Sequence, residues 1–171
     1  IAALYYYRPL WLTNDFGENW KETDSGCEQW AAMDISSDGK YIVLADFGAI
    51  KYYPENKSAI HISKDSGKTW ECKEIDGIQC LYDVAISNDG KKIIVGSNRV
   101  MDPFMISFNS GESWEAISKP DFVNQDWPSF NSVFSASGTR IVAMEKGYSI
   151  WTSDDYGVTW VERIRGEGGQ I

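Results

Sequence analysis

Asp15, Asp65, Asn109 and Asp155 stand at matching places in four short stretches of the chain. These are Thr13-Asn-Asp15-Phe-Gly17-Glu-Asn-Trp20, Ser63-Lys-Asp65-Ser-Gly67-Lys-Thr-Trp70, Ser107-Phe-Asn109-Ser-Gly111-Glu-Ser-Trp114 and Ser153-Asp-Asp155-Tyr-Gly157-Val-Thr-Trp160. Their glycines lie 50, 44 and 46 residues apart. Two chemistries are open to such side chains. Carboxylates gathered at one point ligate a cation or act as general acid and base. A carboxylate or amide two residues before a glycine instead accepts hydrogen bonds from the N–H groups of its own turn. The pattern favours the turn. None of the four has the alternating acidic positions of a calcium loop, carboxylates one repeat apart are not a close pair, and Asn109 carries no charge. Gly17, Gly67, Gly111 and Gly157 then supply a positive φ. The Ser or Thr hydroxyl ties the entry to the turn, and Trp20, Trp70, Trp114 and Trp160 pack back over it. No metal and no cofactor is expected from these residues.

Other reactive side chains are few. The single histidine, His61, falls in a column with Trp11, Met105 and Trp151, each two residues before the Ser or Thr of its motif, and is expected to be a packed strand residue. Cys27, Cys72 and Cys80 make no CxxC, and with one His a zinc site is not expected. Cys72 and Cys80 could pair, leaving one thiol, or all three could be free. Ser/His/Asp and Cys/His catalysis have little to work with.

The elements that position these residues follow from a second motif lying between copies of the first: Ser36-Ser-Asp-Gly39, Ser87-Asn-Asp-Gly90 and Ser135-Ala-Ser-Gly138. Before it runs a short strand A (Ala32–Ser36, Tyr82–Ser87, Phe130–Ser135), and after it an apolar strand B (Tyr41–Ala45, Lys92–Gly96, Arg140–Met144). Strand C (Leu10–Thr13, Ala59–Ser63, Phe104–Ser107, Ser149–Ser153) leads into the first motif. Strand D (Trp20–Thr23, Thr69–Ile75, Ser113–Ser118, Thr159–Ile164) leaves it. A–B and C–D read as hairpins. Both faces of strand B are apolar, so each sheet must be covered by a sheet on either side. Trp30 and Leu81 share a column six residues before the second motif, which Ser129 breaks. Four antiparallel strands in about 40–50 residues, repeated and covered on both faces, are the arithmetic of β-propeller blades. The fold class is therefore all-β, with blades at residues 30–75, 79–118 and 127–165 and a C–D half-blade at 1–24. Three and a half blades fall short of the four to eight that close a ring. The chain is expected to be one partial propeller. The rest of the ring comes in cis from a longer chain or in trans from a second copy.

Composition bounds the partners. The 171 residues carry 43% hydrophobic and 24% charged residues and a net charge of −9, which argues against electrostatic binding of nucleic acid or an anionic membrane. No apolar run reaches the roughly 20 residues of a spanning helix. Trp, Tyr and Phe number 8, 9 and 7, so large flat side chains must be buried or stacked somewhere.

The first motif, Ser/Thr-x-Asp-x-Gly-x-Thr/Ser-Trp, resembles the Asp-box, or BNR repeat, of sialidases, sortilin-type receptors, some glucan-cleaving hydrolases and a photosystem II assembly factor. The resemblance covers nearly the whole chain. It implies a propeller with the boxes at structural corners and, as in the sialidase-like relatives, function on the opposite face; it implies no particular function, since these relatives do unrelated things. Box one departs with Asn19 where the family prefers Thr or Ser, and box three with Asn109 for Asp.

The A–B and C–D turns lie on one face of the ring, and the longer B–C and D–A connections on the other. Variable loops on a rigid scaffold are where binding resides. Three loops carry aromatics beside polar groups: residues 46–58 with Tyr52 and Tyr53, 97–103 with Arg99 and Asp102, and 119–128 with Asp126 and Trp127. Flat faces and orienting polar groups suit a glycan or peptide. The sequence therefore reads as a non-catalytic scaffold presenting loops to a protein or glycan partner, in an extracellular, cell-surface or lumenal setting. The rival reading is a glycoside hydrolase, sialidase-like or glucan-cleaving, with Asp46, Asp102 and Asp126 as candidate carboxylates and part of its site in missing blades. Tyr7-Arg8-Pro9 resembles the Arg-Ile-Pro segment of sialidases only in part, and the other arginines form no cluster in sequence.

Overall fold

The computed structural model describes residues 2–3, 10–26, 30–46, 59–97, 103–118, 120, 130–134, 138–145 and 149–165. Every regular element among them is a β-strand. The first sheet holds β1 (Ala2–Ala3), β2 (Leu10–Leu12) and β3 (Lys21–Thr23). The second holds β4 (Trp30–Ile35), β5 (Ile42–Asp46), β6 (Ala59–Ser63) and β7 (Glu71–Glu74). The third holds β8 (Leu81–Ile86), β9 (Ile93–Ser97), β10 (Phe104–Ser107) and β11 (Glu115–Ile117). The fourth holds β12 (Phe130–Phe134), β13 (Ile141–Glu145), β14 (Ser149–Ser153) and β15 (Val161–Arg165). In each sheet sequence neighbours pair antiparallel, so the strands run A, B, C, D across it. The first sheet has one strand more than the expected C–D pair: β1 pairs with β2 and takes the B position.

β5 and β9, the B strands of the second and third sheets, are buried on both faces, and this is what stacks the sheets. Val43 and Ala45 of β5, with Ile60 and Ile62 of β6, pack against Val84, Ile86, Ile93, Val95 and Met105 of the third sheet. Ile42 and Leu44, on the other side of β5, pack against Leu10 of the first. Ala85, Ile94, Phe104 and Ile106 meet Ile141 and Ala143 of the fourth. Burying a β-branched or leucine side chain is worth about 1.5–3 kcal/mol, so each seam is held by several such terms. The D strands β3, β7, β11 and β15 are largely exposed.

The A strands approach one another at the opposite edge. Asp34 of β4 accepts the Ile86 N–H of β8 at 2.8 Å, and also its neighbour Ile35 N–H. Burial pushes the Asp34 carboxyl up, against the pull of those two amides. An A strand has no partner on its inner side, and this carboxylate covers one of the free edge amides.

The strand ends depart from the sequence reading in one instructive place. β4 and β8 begin at Trp30 and Leu81, earlier than expected, because each carries a bulge, between Trp30 and Ala32 and between Leu81 and Asp83. β12 pairs with β13 without one.

Candidate functional site

At the corners between strands C and D the same bonds are made four times. The motif hydroxyl donates to the acidic or amide oxygen two residues on: Thr13 Oγ1 to Asp15 at 2.6 Å, Ser63 Oγ to Asp65 at 2.9 Å, Ser107 Oγ to Asn109 at 3.0 Å and Ser153 Oγ to Asp155 at 2.8 Å. The same hydroxyls accept from the N–H of Gly17, Gly67, Gly111 and Gly157 at 2.7–3.1 Å. The side-chain Oδ1 then accepts the backbone N–H four residues later, of Asn19, Thr69, Ser113 and Thr159. Oδ2 of Asp65 and Asp155 accepts from Thr69 and Thr159 Oγ1, and Oδ2 of Asp15 from Asn19 Nδ2. At the third corner the last bond reverses, and Asn109 Nδ2 donates to Ser113 Oγ at 2.9 Å. A hydroxyl both donates and accepts, so Asn replaces Asp without an unpaired group.

The bonds to Thr13 and Asn19 hold the Asp15 carboxyl down at about 2, and those to Thr69 and Ser63 hold Asp65 at about 2. Thr159 and Ser153 lower Asp155 in the same way. These carboxylates are ionised, and each accepts bonds from its own turn on both oxygens. Trp20 Nε1 donates to Gly17 O at 3.1 Å, and Trp160 Nε1 to Ser118 O at 2.9 Å. The Trp70 and Trp114 indole N–H groups are buried without a partner. The A–B turns repeat the logic on a smaller scale: Asp38 and Asp89 accept from Ser36 and Ser87 and from the Lys40 and Lys91 amides.

On the opposite face, Tyr52, Tyr53, Arg99, Asp102, Asp126 and Trp127 lie outside the described residues, as do Arg8 and Cys27. Asp46 is described, at the end of β5, and is 1% exposed. It sits in the seam between the first and second sheets, with a group that the motifs do not reveal. His61 is 2% exposed; its Nδ1 lies 2.8 Å from Ser25 O and its Nε2 3.5 Å from Cys72 Sγ. Trp30 meets the imidazole edge-on, with ring centroids 5.2 Å apart. Burial holds His61 below its ordinary value against the opposing Ser25 carbonyl and Asp46 charge. Burial, then Asp46 and Glu74, push the Cys72 thiol up. Of the arrangements left open by the sequence, Cys72 and Cys80 are both free, and Cys72 is exposed. Counting back from the corner at Gly67 places His61 opposite Cys72, so this pair was readable in the sequence; the approach of Ser25 from another sheet was not. Among the described residues no group of three or more His, Cys, Asp or Glu surrounds a common point, and no helix is long and apolar enough to cross a membrane.

No protein-family model matches the chain, and no curated protein does. Solved structures do. An auxiliary nutrient binding protein from Bacteroides thetaiotaomicron matches over 99% of this chain and 40% of its own, with a TM-score of 0.69 and 12% identity. An ancestral GH74 enzyme matches over 93% of this chain and 22% of its own, with a TM-score of 0.64 and 12% identity. YCF48 bound to a D1 peptide matches over 78% and 38%, with a TM-score of 0.59 and 14% identity. The chain thus spans less than half the length of each. These are β-propeller proteins of differing function, and at such identity the likeness speaks to architecture alone: the four stacked sheets are blades of a partial β-propeller.

Proposed function

We propose that the chain is a non-catalytic segment of an Asp-box-type β-propeller, presenting the loops opposite its box corners to a protein or glycan partner outside the cell, at its surface or in a lumen. The observation that carries this reading is the use of the box side chains: both side-chain oxygens of Asp15, Asp65 and Asp155, and the oxygen and amide nitrogen of Asn109, bond within their own corner. The box face is consumed in making shape, which leaves recognition to the B–C and D–A loops with Tyr52, Tyr53, Arg99, Asp102, Asp126 and Trp127. The neighbours include a peptide-bound protein and nutrient binding proteins, in keeping with a binding role. The remaining blades come from a longer chain or from a second copy.

The test is a screen of the purified chain on arrayed glycans and peptides, followed by titration of the best ligand. Replacing Tyr52, Tyr53 and Trp127 together by Ala is expected to weaken binding by at least ~30-fold, the scale of one aromatic hot spot. Unchanged affinity would remove these loops from the reading. The rival reading, a glycoside hydrolase, requires measurable glycan turnover that Asp102→Asn or Asp126→Asn abolishes. Asp46, buried in the seam, is not placed to line an open groove.

A further inference from the structure

We propose that two copies of the chain join head to tail, the outer face of the fourth sheet of one seating on the outer face of the first sheet of the other through the contacts that join its own sheets. This pairing rests on the second-copy alternative for the remaining blades, and gives it a face and a contact pair.

The first sheet presents what the other sheets cover. Two residues before the motif hydroxyl, Trp11 is 40% exposed, against 2% for His61 and 6% for Met105. Trp20 is 40% exposed, whereas Trp70, Trp114 and Trp160 each pack into the seam with the preceding sheet. Gly67, Gly111 and Gly157 are buried and Gly17 is only partly so. Phe16 beside it is fully in solvent. Three large aromatics at positions that sheets cover elsewhere in the chain make an interaction surface rather than scattered exposure.

The internal seams show what fits it. Leu12 and Ile62 of one sheet lie over Gly67 and Gly111 of the next, and Ile117 lies over Gly157. Three residues after the motif Trp, Thr23 Oγ1 donates to Gly67 O at 3.0 Å and Lys73 Nζ to Gly111 O at 3.4 Å. Lys73 also pairs with Glu112, the residue after that glycine, at 3.0 Å. The fourth sheet carries the same equipment on its outer face. Thr152 holds the column of Leu12 and Ile62. Arg163, three residues after Trp160, is extruded where the β14–β15 register shifts, and its Nε donates to Thr152 Oγ1 at 2.7 Å, which holds it on that face. Val161 and Ile164, paired with Thr152 and Ile150, add half-exposed apolar surface.

Charge fits the two faces together. Brought against the first sheet, Arg163 reaches Gly17 O and Glu18, which follows Gly17 as Glu112 follows Gly111. The pair repeats Lys73 with Glu112. Across the seam between the third and fourth sheets Phe108 meets Tyr156 edge-on, with ring centroids 5.3 Å apart. The same two places in the new seam hold Asp154, bonded to Arg140, and Phe16, so a guanidinium takes the place of one ring. Thr152 lacks the δ carbon by which Leu12 and Ile62 approach their glycines, so the first corner keeps its space over Gly17. A head-to-tail contact closes into a ring where the rotation allows. Twice four sheets is eight, within the four to eight blades of closed propellers.

Sedimentation velocity and light scattering on the full chain, from about 1 to 100 μM, are expected to find a dimer. Arg163→Glu is expected to weaken association at least ~10-fold. Glu18→Lys, which installs the residue that the second corner has there, Lys68, should do the same. Together the two reversals are expected to restore association to within ~3-fold of the parent, a rescue that damage to the fold would not give. Phe16→Ser installs the residue of the second and third corners and should weaken association at least ~10-fold. All three positions are exposed, so the circular dichroism should not change. The chain with Tyr52, Tyr53 and Trp127 replaced by Ala should pair as the parent does, so loss of a loop ligand and loss of pairing are read apart. A monomer throughout overturns the pair and leaves this face to further sheets of a longer chain. A double reversal weaker than either single one overturns the Arg163–Glu18 contact. A ladder of larger species overturns the closed ring.

Discussion

The corner at Asp15 and the corner at Asn109 share the bonds of the motif hydroxyl and of Oδ1 and differ in what lies beside them. At the first, an atom added to Gly17 would meet, among the described residues, nothing nearer than the corner's own Trp20, at 3.9 Å. Trp20 is 40% exposed and Phe16 96%. At the third, an added atom on Gly111 would lie 2.2 Å from Ile62 Cδ1 of the preceding sheet. There Ser110 N donates to Lys91 O at 2.8 Å and Ser110 Oγ to Gly90 O at 2.9 Å, tying the corner to the A–B turn of its own sheet. Glu112 pairs with Lys64 and Lys73 across the seam. The comparison separates two layers of structure. The motif closes its turn from within eight residues, whether or not anything covers it. The seat of the turn is made by the neighbouring sheet.

The largest effect that would test this separation is Gly111→Ala against Gly17→Ala. Both residues have positive φ, +84° and +95°, so both pay roughly 1–2 kcal/mol for backbone conformation. Only Gly111 also drives a methyl into Ile62 Cδ1, which must then turn aside within the buried seam. Overpacking adds about 1–3 kcal/mol. Denaturant unfolding is expected to find Gly111→Ala about 2–5 kcal/mol destabilised and Gly17→Ala no more than about 2. Equal losses would show that the corners are seated alike.

Next in size is the loss of the acceptor itself. Asp65→Ala strands the Lys68 and Thr69 amides and is expected to cost about 1–3 kcal/mol. Asp65→Asn rebuilds the arrangement that the third corner has naturally and should cost less than about 1 kcal/mol by the same measurement. A loss as large as that of Ala would mean that the charge, rather than the accepting oxygen, holds the corner.

The same difference appears in pH. Asp15 and Asp65 have folded values of about 2, and that of Asp155 is lowered. A carboxyl whose folded value lies below its unfolded one stabilises the fold above the unfolded value, near 4. That stability is lost as pH falls toward 2. Acid unfolding is therefore expected to set in between about pH 4 and 2. With Asp15, Asp65 and Asp155 all changed to Asn the stability should be flatter across that window. Asn109, which does not titrate, contributes nothing to the slope.

The smallest effect belongs to the rim. Glu112→Ala removes the pairs to Lys64 and Lys73, all partly or wholly exposed. It should cost under about 1 kcal/mol, falling with added salt. A salt-independent loss would place the network deeper in the seam than its exposure indicates.

Much of the architecture was legible because its signals are local. Ser36-Ser-Asp-Gly39 and Ser87-Asn-Asp-Gly90 close their turns from within, and the double-sided apolar pattern of Ile42–Asp46 and Ile93–Ser97 requires sheets on both sides. The bulges in β4 and β8 were half-legible: the Trp30/Leu81 column was visible, but nothing nearby in sequence shows that one residue is extruded. Asp34 reads like any exposed strand acid until the β8 edge amide is brought against it. The candidate recognition residues from Tyr52 to Trp127 stand in the sequence as composition only, because no repeat fixes them.

The sequence by itself determined the hairpin corners, the order of strands within each sheet and the need for sheets to stack. Each of these is set by hydrogen bonds and side-chain alternation within a few tens of residues. The tertiary structure alone decided which corners are covered, which edge amide Asp34 satisfies, and that Ser25, His61 and Cys72 share a seam. Those depend on how one sheet lies against the next. Contacts between residues 36 positions apart, such as His61 with the Ser25 carbonyl, follow from packing that no local pattern encodes.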